Sequence, residues 1–350
     1  MSFQEKKKYL GHMSQLFDVR TYRLCGGRMD GVKATSVKMD TGLEFTVFAD
    51  RCMDPYYLSY RGRNLSYIGP VGVVSPAYFL ERDLDFLYGF TAGSLSTCGL
   101  SNIGSPSEND SEILGLHGRL SHTPAEDYGV WVDEDAAGNP TVVMKGRMRE
   151  AKQGLKNLVM TREIRAAYGG KTITISDTFQ NAGFTASPFM LLYHCNFGYP
   201  LLSENAQLLI PSANVRPRTD FAAQALESWS TFEAPIDGIE ERCYYHDLKT
   251  DADGNTMVGV YNDDIGMGLS VRFNKKVLDH LVQWKNPASG CYALGLEPCN
   301  CEIDTRAKAK ADGNIKYLQP GEKVRNTLIY EVIDGEKDLE AVKAFQSSLK

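Results

Sequence analysis

Apolar and polar residues alternate over several short stretches. In residues 42–50 (GLEFTVFAD) Leu43, Phe45 and Val47 fall on one face. Ile173 and Ile175 do so in 172–179 (TITISDTF), and Leu269 and Val271 in 267–273 (MGLSVRF). A period of two is that of a half-buried strand. Residues 157–166 and 326–332 are further β-rich runs. Turn signals separate these runs: Ala137-Gly138-Asn139-Pro140, Gly169-Gly170, Asn181-Ala182-Gly183, Asp253-Gly254-Asn255 and Pro320-Gly321-Glu322. Short strands bounded by Gly, Asn, Asp and Pro predict an all-β fold, a large antiparallel β-sandwich with few short helices. Helical periodicity is sparse. Residues 338–349 place Leu339, Val342 and Phe345 on one face, and 76–90 (PAYFLERDLDFLYGF) holds a turn or two. No linker, fixed-period repeat or composition shift is visible. A single domain over residues 1–350 is therefore expected, with its core at about 30–335 and a C-terminal helix at 338–349. The long, polar, Gly-rich segment 93–118 reads as a loop on this sheet scaffold, the kind of place where function concentrates.

Composition narrows the class. The chain has 350 residues, 43% hydrophobic and 23% charged. A chain of this length buries about three quarters of its unfolded surface, so its core needs neither disulfide nor metal. The net charge of −6 argues against a nucleic-acid binder, while a small anion held by a few arginines stays open. No apolar run approaches the ~18 residues of a membrane span. The N-terminal stretch MSFQEKKKYLGHMSQLFDVR lacks the apolar centre of a signal peptide. Eight cysteines, at 25, 52, 98, 195, 243, 291, 299 and 301, include no C-x-x-C pair and read as reduced thiols of a cytoplasmic protein.

Candidate chemistry rests on few residues. His117 lies in Leu116-His117-Gly118-Arg119, where a histidine also serves to satisfy loop backbone groups. His194 follows the apolar run Phe189-Met190-Leu191-Leu192-Tyr193, and a buried imidazole must find partners there. Glu297 shares a strand face with Ala293 and Gly295, so its carboxylate stands over open space, and Pro298 is expected to end the strand. The bland alternative is an edge-strand charge that blocks aggregation. Metal spacings are absent, since His117 and His122 are five apart and no His-x-His occurs; Cys299 and Cys301 alone make a poor zinc site. No G-x-S-x-G, G-x-G-x-x-G after a strand, or P-loop is present, so neither a nucleophilic triad nor a nucleotide cofactor is expected. A carboxylate pair for glycoside hydrolysis stays open, with Asp50, Asp54, Glu233 and Glu241 as partners for Glu297.

Six segments occur together: Asp50-Arg51-Cys52-Met53-Asp54, Thr97-Cys98-Gly99-Leu100, Leu116-His117-Gly118-Arg119, Tyr193-His194-Cys195-Asn196-Phe197-Gly198, Gln283-Trp284-Lys285 and Leu296-Glu297-Pro298. As a set they resemble the aldose 1-epimerase (galactose mutarotase-like) superfamily, and within it the DUF4432 branch. The resemblance implies a β supersandwich and interconversion of sugar anomers by a base that deprotonates the anomeric hydroxyl and an acid that protonates the ring oxygen. It assigns the base to Glu297, the acid to His194 and a substrate hydrogen bond to His117. Arg51, Arg119, Asn196, Gln283 and Lys285 become expected substrate contacts. A small sugar is the implied partner, without cofactor, metal, nucleic acid or membrane. The asparagine-x-arginine motif usual before the first histidine is missing, and Asp220, Asp237 and Glu241 all qualify as the acidic residue on sugar hydroxyls. Arg51, Arg119, Arg218 and Lys285 in one cavity would favour an acidic sugar. The rival reading is a sugar-binding protein that keeps the sandwich without the chemistry.

Overall fold

The computed structural model describes residues 2–136 and 138–350. Each alternating run identified above forms a strand. The first strands, Phe17–Arg23, Lys33–Met39, Leu43–Phe48, Asp54–Tyr60 and Arg63–Asn64, make an antiparallel meander in chain order. A second sheet of eight strands runs in the order Ala206–Leu209, Asn255–Asn262, Met267–Asn274, Lys323–Asp334, Thr172–Asn181, Lys156–Ala167, Pro140–Lys152 and Glu126–Glu134. A third sheet orders Ser212–Pro217, Arg242–Leu248, His280–Asn286, Ala293–Cys299 and Ser187–Phe197, and both Leu95–Leu100 and Lys316–Leu318 also pair with Ser187–Phe197. Every pairing between named strands is antiparallel.

One apolar core joins the three sheets. Phe45 and Val47 enter it from the first, Met160, Ile175 and Leu269 from the second, and Leu191, Phe197 and Leu294 from the third. The Ser187–Phe197 strand is apolar on both faces because both are covered. Leu191, Tyr193, Cys195 and Phe197 point into the main core, whereas Met190 and Leu192 point into a smaller cluster with Cys98, Val282 and Cys299. Helices are short, apart from Glu336–Ser348, which lays Leu339 and Val342 on Met257, Tyr261 and Ile333. The 76–90 stretch yields two 3₁₀ turns, Pro76–Tyr78 and Asp85–Gly89.

Two expectations change. The 93–118 segment is not all loop. Leu95–Leu100 is a strand, and Ser107–Asn109 pairs with Glu112–Leu114 as a hairpin. All six residues of Leu95–Leu100 are buried, so no alternation marks it. Pro298 does not end its strand, which runs to Cys299. Of the predicted 137–140 turn, Ala137 lies outside the described residues, while Gly138 takes the left-handed φ of +75° that the turn requires.

A buried ion cluster pins the layers together. Arg162 and Asp177 stand directly opposite on adjacent strands. Arg162 Nε and Nη2 donate to the two Asp177 carboxylate oxygens at 2.9 and 2.8 Å. Its Nη1 reaches Asp54 Oδ1 of the first sheet at 2.5 Å and its Nη2 reaches Thr97 Oγ1 at 3.0 Å. Thr97 in turn donates its N–H and hydroxyl to Asp54, and Tyr193 donates its hydroxyl to Asp177. Removing one member of such a set leaves the others charged and unpaired in the interior. Arg162→Met, which keeps the bulk, should therefore destabilise the fold by about 3–5 kcal/mol in urea unfolding; a loss below about 1 kcal/mol would show the cluster to be dispensable.

Candidate functional site

Strand register brings the acid and the imidazole together. Cys195 pairs with Leu296 and Asn196 with Gly295, and the same register sets His194 opposite Glu297. The ladder lapses at these residues, beside Pro298, which has no N–H to donate. On the far side Trp284 pairs with Gly295 and Val282 with Glu297. His194 Nε2 stands 3.2 Å from Glu297 Oε1. Gly295 makes room for this. A Cβ there would sit 2.5 Å from Glu297 Oε1, 3.1 Å from Trp284 Cβ and 3.2 Å from His194 Cε1. The open space expected beside Glu297 is thus used by the carboxyl group itself, folded back over the glycine.

His117 arrives from the loop after the Glu112–Leu114 strand. Its φ of +58° is unusual for a residue with a side chain, and the backbone is held from both sides. Its N–H donates to Gly104 O at 3.0 Å and its carbonyl accepts from Gly99 N–H. Gly104 N–H also donates to His117 Nδ1 at 3.3 Å, so the neutral ring carries its proton on Nε2. The His117 and His194 rings meet edge to face with centroids 5.9 Å apart.

These three residues line one cavity of about 120 Å³, with Phe86, Phe90, Trp284, Arg218 and Glu241 among its walls. Phe90 and Trp284 pack on the His194 ring with centroids 5.0 and 5.3 Å away. Burial dominates the electrostatics. It lowers His117 to about 4, helped by the Arg218 charge. It lowers His194 to about 3, with His117 adding to the effect and the Asn196 side chain opposing it. Burial pushes Glu297 well above the usual carboxylate range; Glu241 adds to this and Arg218 opposes it. Beyond its 3.2 Å contact with His194 Nε2, the buried Glu297 Oε1 has no hydrogen-bond partner.

The other five predicted contacts lie away from the cavity. Gln283 and Lys285 alternate with Trp284 and so project from the opposite face of the strand. Gln283 meets His246 Nε2 and donates to Trp229 O, and Lys285 pairs with Glu233 at 2.8 Å. Asn196 donates to Gly93 O and His194 O. Arg119 pairs with Glu81. Arg51 is buried and donates to Val74 O at 2.8 Å and Gly89 O at 2.9 Å, beside His122. It holds both ends of segment 74–89, which carries Phe86 into the wall. Arg218 and Glu241, which the sequence offers only among alternatives, and Trp284 of the Gln283-Trp284-Lys285 segment do line the cavity. Arg218 Nη2 donates to Ser105 Oγ at 2.8 Å, and Trp284 Nε1 donates to Glu241 Oε2 at 2.6 Å. Among the described residues no cluster of three or more His, Cys, Asp or Glu is placed to bind a metal.

The family model for the domain of unknown function DUF4432 matches residues 29–332. The chain belongs to the DUF4432 family. Among solved structures, this DUF4432 protein is similar to a Klebsiella pneumoniae protein provisionally described as an aldose 1-epimerase. Identity is 26% and the TM-score 0.91, over 95% of this chain and 88% of that one. It shares its fold with a galactose mutarotase-like protein from Clostridium acetobutylicum, 12% identical, TM-score 0.61, over 91% of this chain and 99% of that one. A galactose 1-epimerase from Lactobacillus acidophilus is also 12% identical, TM-score 0.59, over 91% and 100% of the two chains. No curated protein matches the sequence. The fold of this DUF4432 protein is therefore galactose mutarotase-like, as the six sequence segments imply.

Burial of the two histidines has a direct consequence. Their imidazole ring protons should show no titration between pH 5 and 8 by NMR, because the lowered values lie near 4 and 3. A midpoint near 6.5 for either ring, assigned by His117→Gln and His194→Gln, would mean that the cavity is wet and open.

Proposed function

We propose that this DUF4432 protein is a carbohydrate isomerase that interconverts the anomers of an aldose by general acid–base catalysis. The observation that carries the reading is the His194–Glu297 pair, 3.2 Å apart at the floor of an aromatic-walled cavity. Glu297 accepts the proton of the anomeric hydroxyl while His194 donates one to the ring oxygen. The C1–O5 bond breaks, the aldehyde turns about C1–C2, and reclosure on the other face returns both protons. The cycle consumes no proton overall, so the pair needs to hold one proton between its two members and pass it back and forth. At rest that proton belongs on the carboxyl, because burial disfavours the charge of both groups. A bound sugar supplies hydrogen bonds to the pair that replace lost water and favour the carboxylate–imidazolium form, with the Arg218 charge favouring the carboxylate. His117 Nε2–H adds a donor for a substrate oxygen. The eight unpaired thiols support a reducing, cytoplasmic setting.

The proton count sets the pH dependence. As pH falls through about 3, where His194 titrates, both groups are protonated and no base remains. As pH rises through the elevated Glu297 value, both are deprotonated and no acid remains. Anomer exchange, followed by polarimetry or NMR on a panel of sugars, should thus be flat between these two titrations and fall on either side, with limbs belonging to the coupled pair. Glu297→Gln and His194→Asn should each slow exchange by roughly 10²–10⁴-fold. Near-wild-type exchange in Glu297→Gln would sink the mechanism. Binding of several sugars without exchange would establish a carbohydrate-binding protein on this fold.

A further inference from the structure

A groove of about 360 Å³ adjoins the 120 Å³ cavity: Arg218, Glu241 and Cys243 line both, and the groove's other walls are Thr219, Phe221 and Glu240. The inner chamber suits one sugar ring with its anomeric carbon at the His194–Glu297 pair. The outer groove, three times the volume, then receives whatever the far end of that ring carries.

We propose that the groove is a second glycosyl subsite, so that the substrate is the reducing end of a neutral disaccharide or longer oligosaccharide. This rests on the reading of the inner chamber as a sugar site. Its chemistry favours hydroxyls over an anion. Arg218 is the cation shared by the two chambers, while Glu240 and Glu241 stand beside it on the same groove. A carboxylate or phosphate on the substrate would meet more negative than positive charge there. A neutral sugar instead finds acceptors in the carboxylates and donors in the guanidinium, the complementary set that vicinal hydroxyls need. Arg218 is undercommitted in the way a ligand-binding group is. Its Nε is buried without a hydrogen-bond partner and lies 4.0 Å from Asp304, while its Nη2 donates to Ser105. Glu241 is fixed at the junction by the Trp284 indole N–H. Phe221, backed by the Arg242 guanidinium 5.4 Å from its ring centroid, gives the groove a flat apolar surface for the C–H face of a pyranose.

Binding and turnover test this separately. Calorimetry on the Glu297→Gln protein, with glucose and galactose against maltose, cellobiose and lactose, reads the groove without needing catalysis. At least one disaccharide should bind about tenfold or more tighter than its monosaccharide. Phe221→Ala and Glu240→Gln, both outside the catalytic pair, should abolish that gain and leave monosaccharide affinity unchanged. In the wild type the same disaccharide should show the higher kcat/KM for anomer exchange. Disaccharides that bind no better than monosaccharides, or groove variants that weaken both alike, overturn the proposal. Tighter disaccharide binding without exchange upholds the subsite and overturns only the catalytic reading. A preference for glucuronate over glucose that Arg218→Gln removes would assign the site to an acidic sugar and overturn it.

Discussion

A single guanidinium with no exposure to water holds the three sheets in register. Arg162 bonds a carboxylate on its own sheet, Asp177, and another on the N-terminal meander, Asp54. Asp177 then accepts from Tyr193, the residue before His194. Placing these charges in the interior is costly, and an apolar replacement of the whole set would cost the fold little. What the cluster supplies is alignment. A one-residue slip of the Ser187–Phe197 strand would turn Tyr193 away from Asp177 and His194 into the core. The position of the imidazole against Glu297 is thus tied to contacts on the opposite face of its own strand.

The chemistry that follows comes from dryness more than from any exotic group. Aromatic rings and strand backbone exclude water around an ordinary histidine and an ordinary glutamate. Their titrations then move in opposite directions, one lowered to about 3 and the other raised well above its usual range. Two groups pushed this way hold one proton between them over the pH range that separates their titrations, as the proposed proton exchange with a sugar requires.

Runs in which polar or small residues separate apolar ones announced themselves by alternation, Thr172–Asn181 with one accessible face and Leu43–Phe48 and Met267–Asn274 although they are mostly buried. The same parity set Glu297 with Gly295. Leu95–Leu100 looked like loop because its small and polar residues find their partners inside the protein, as Thr97 does in Asp54. Side-chain parity also sorts Trp284 toward the cavity and Gln283 and Lys285 away from it, but only once one of the three is anchored. Arg51 was beyond reach for a different reason. Its acceptors are main-chain carbonyls 23 and 38 residues away, which leave no trace in side-chain identity. Arg218 and Glu241 come from loops and strand ends whose approach to the cavity depends on the tertiary path.

That same Arg51 clasp has an evolutionary side. Both acceptors are backbone carbonyls, which every residue offers, yet Gly89 stays constrained for another reason, since a Cβ there would sit 2.7 Å from His122 Nε2. Between the two ends, exposed positions such as Leu80, Leu84 and Leu87 can change while buried Phe86 is held by its packing on His117 and His122. The cavity wall that Leu87 lines can then be revised by mutation in one strap, with His194, Glu297 and their supporting sheets left untouched.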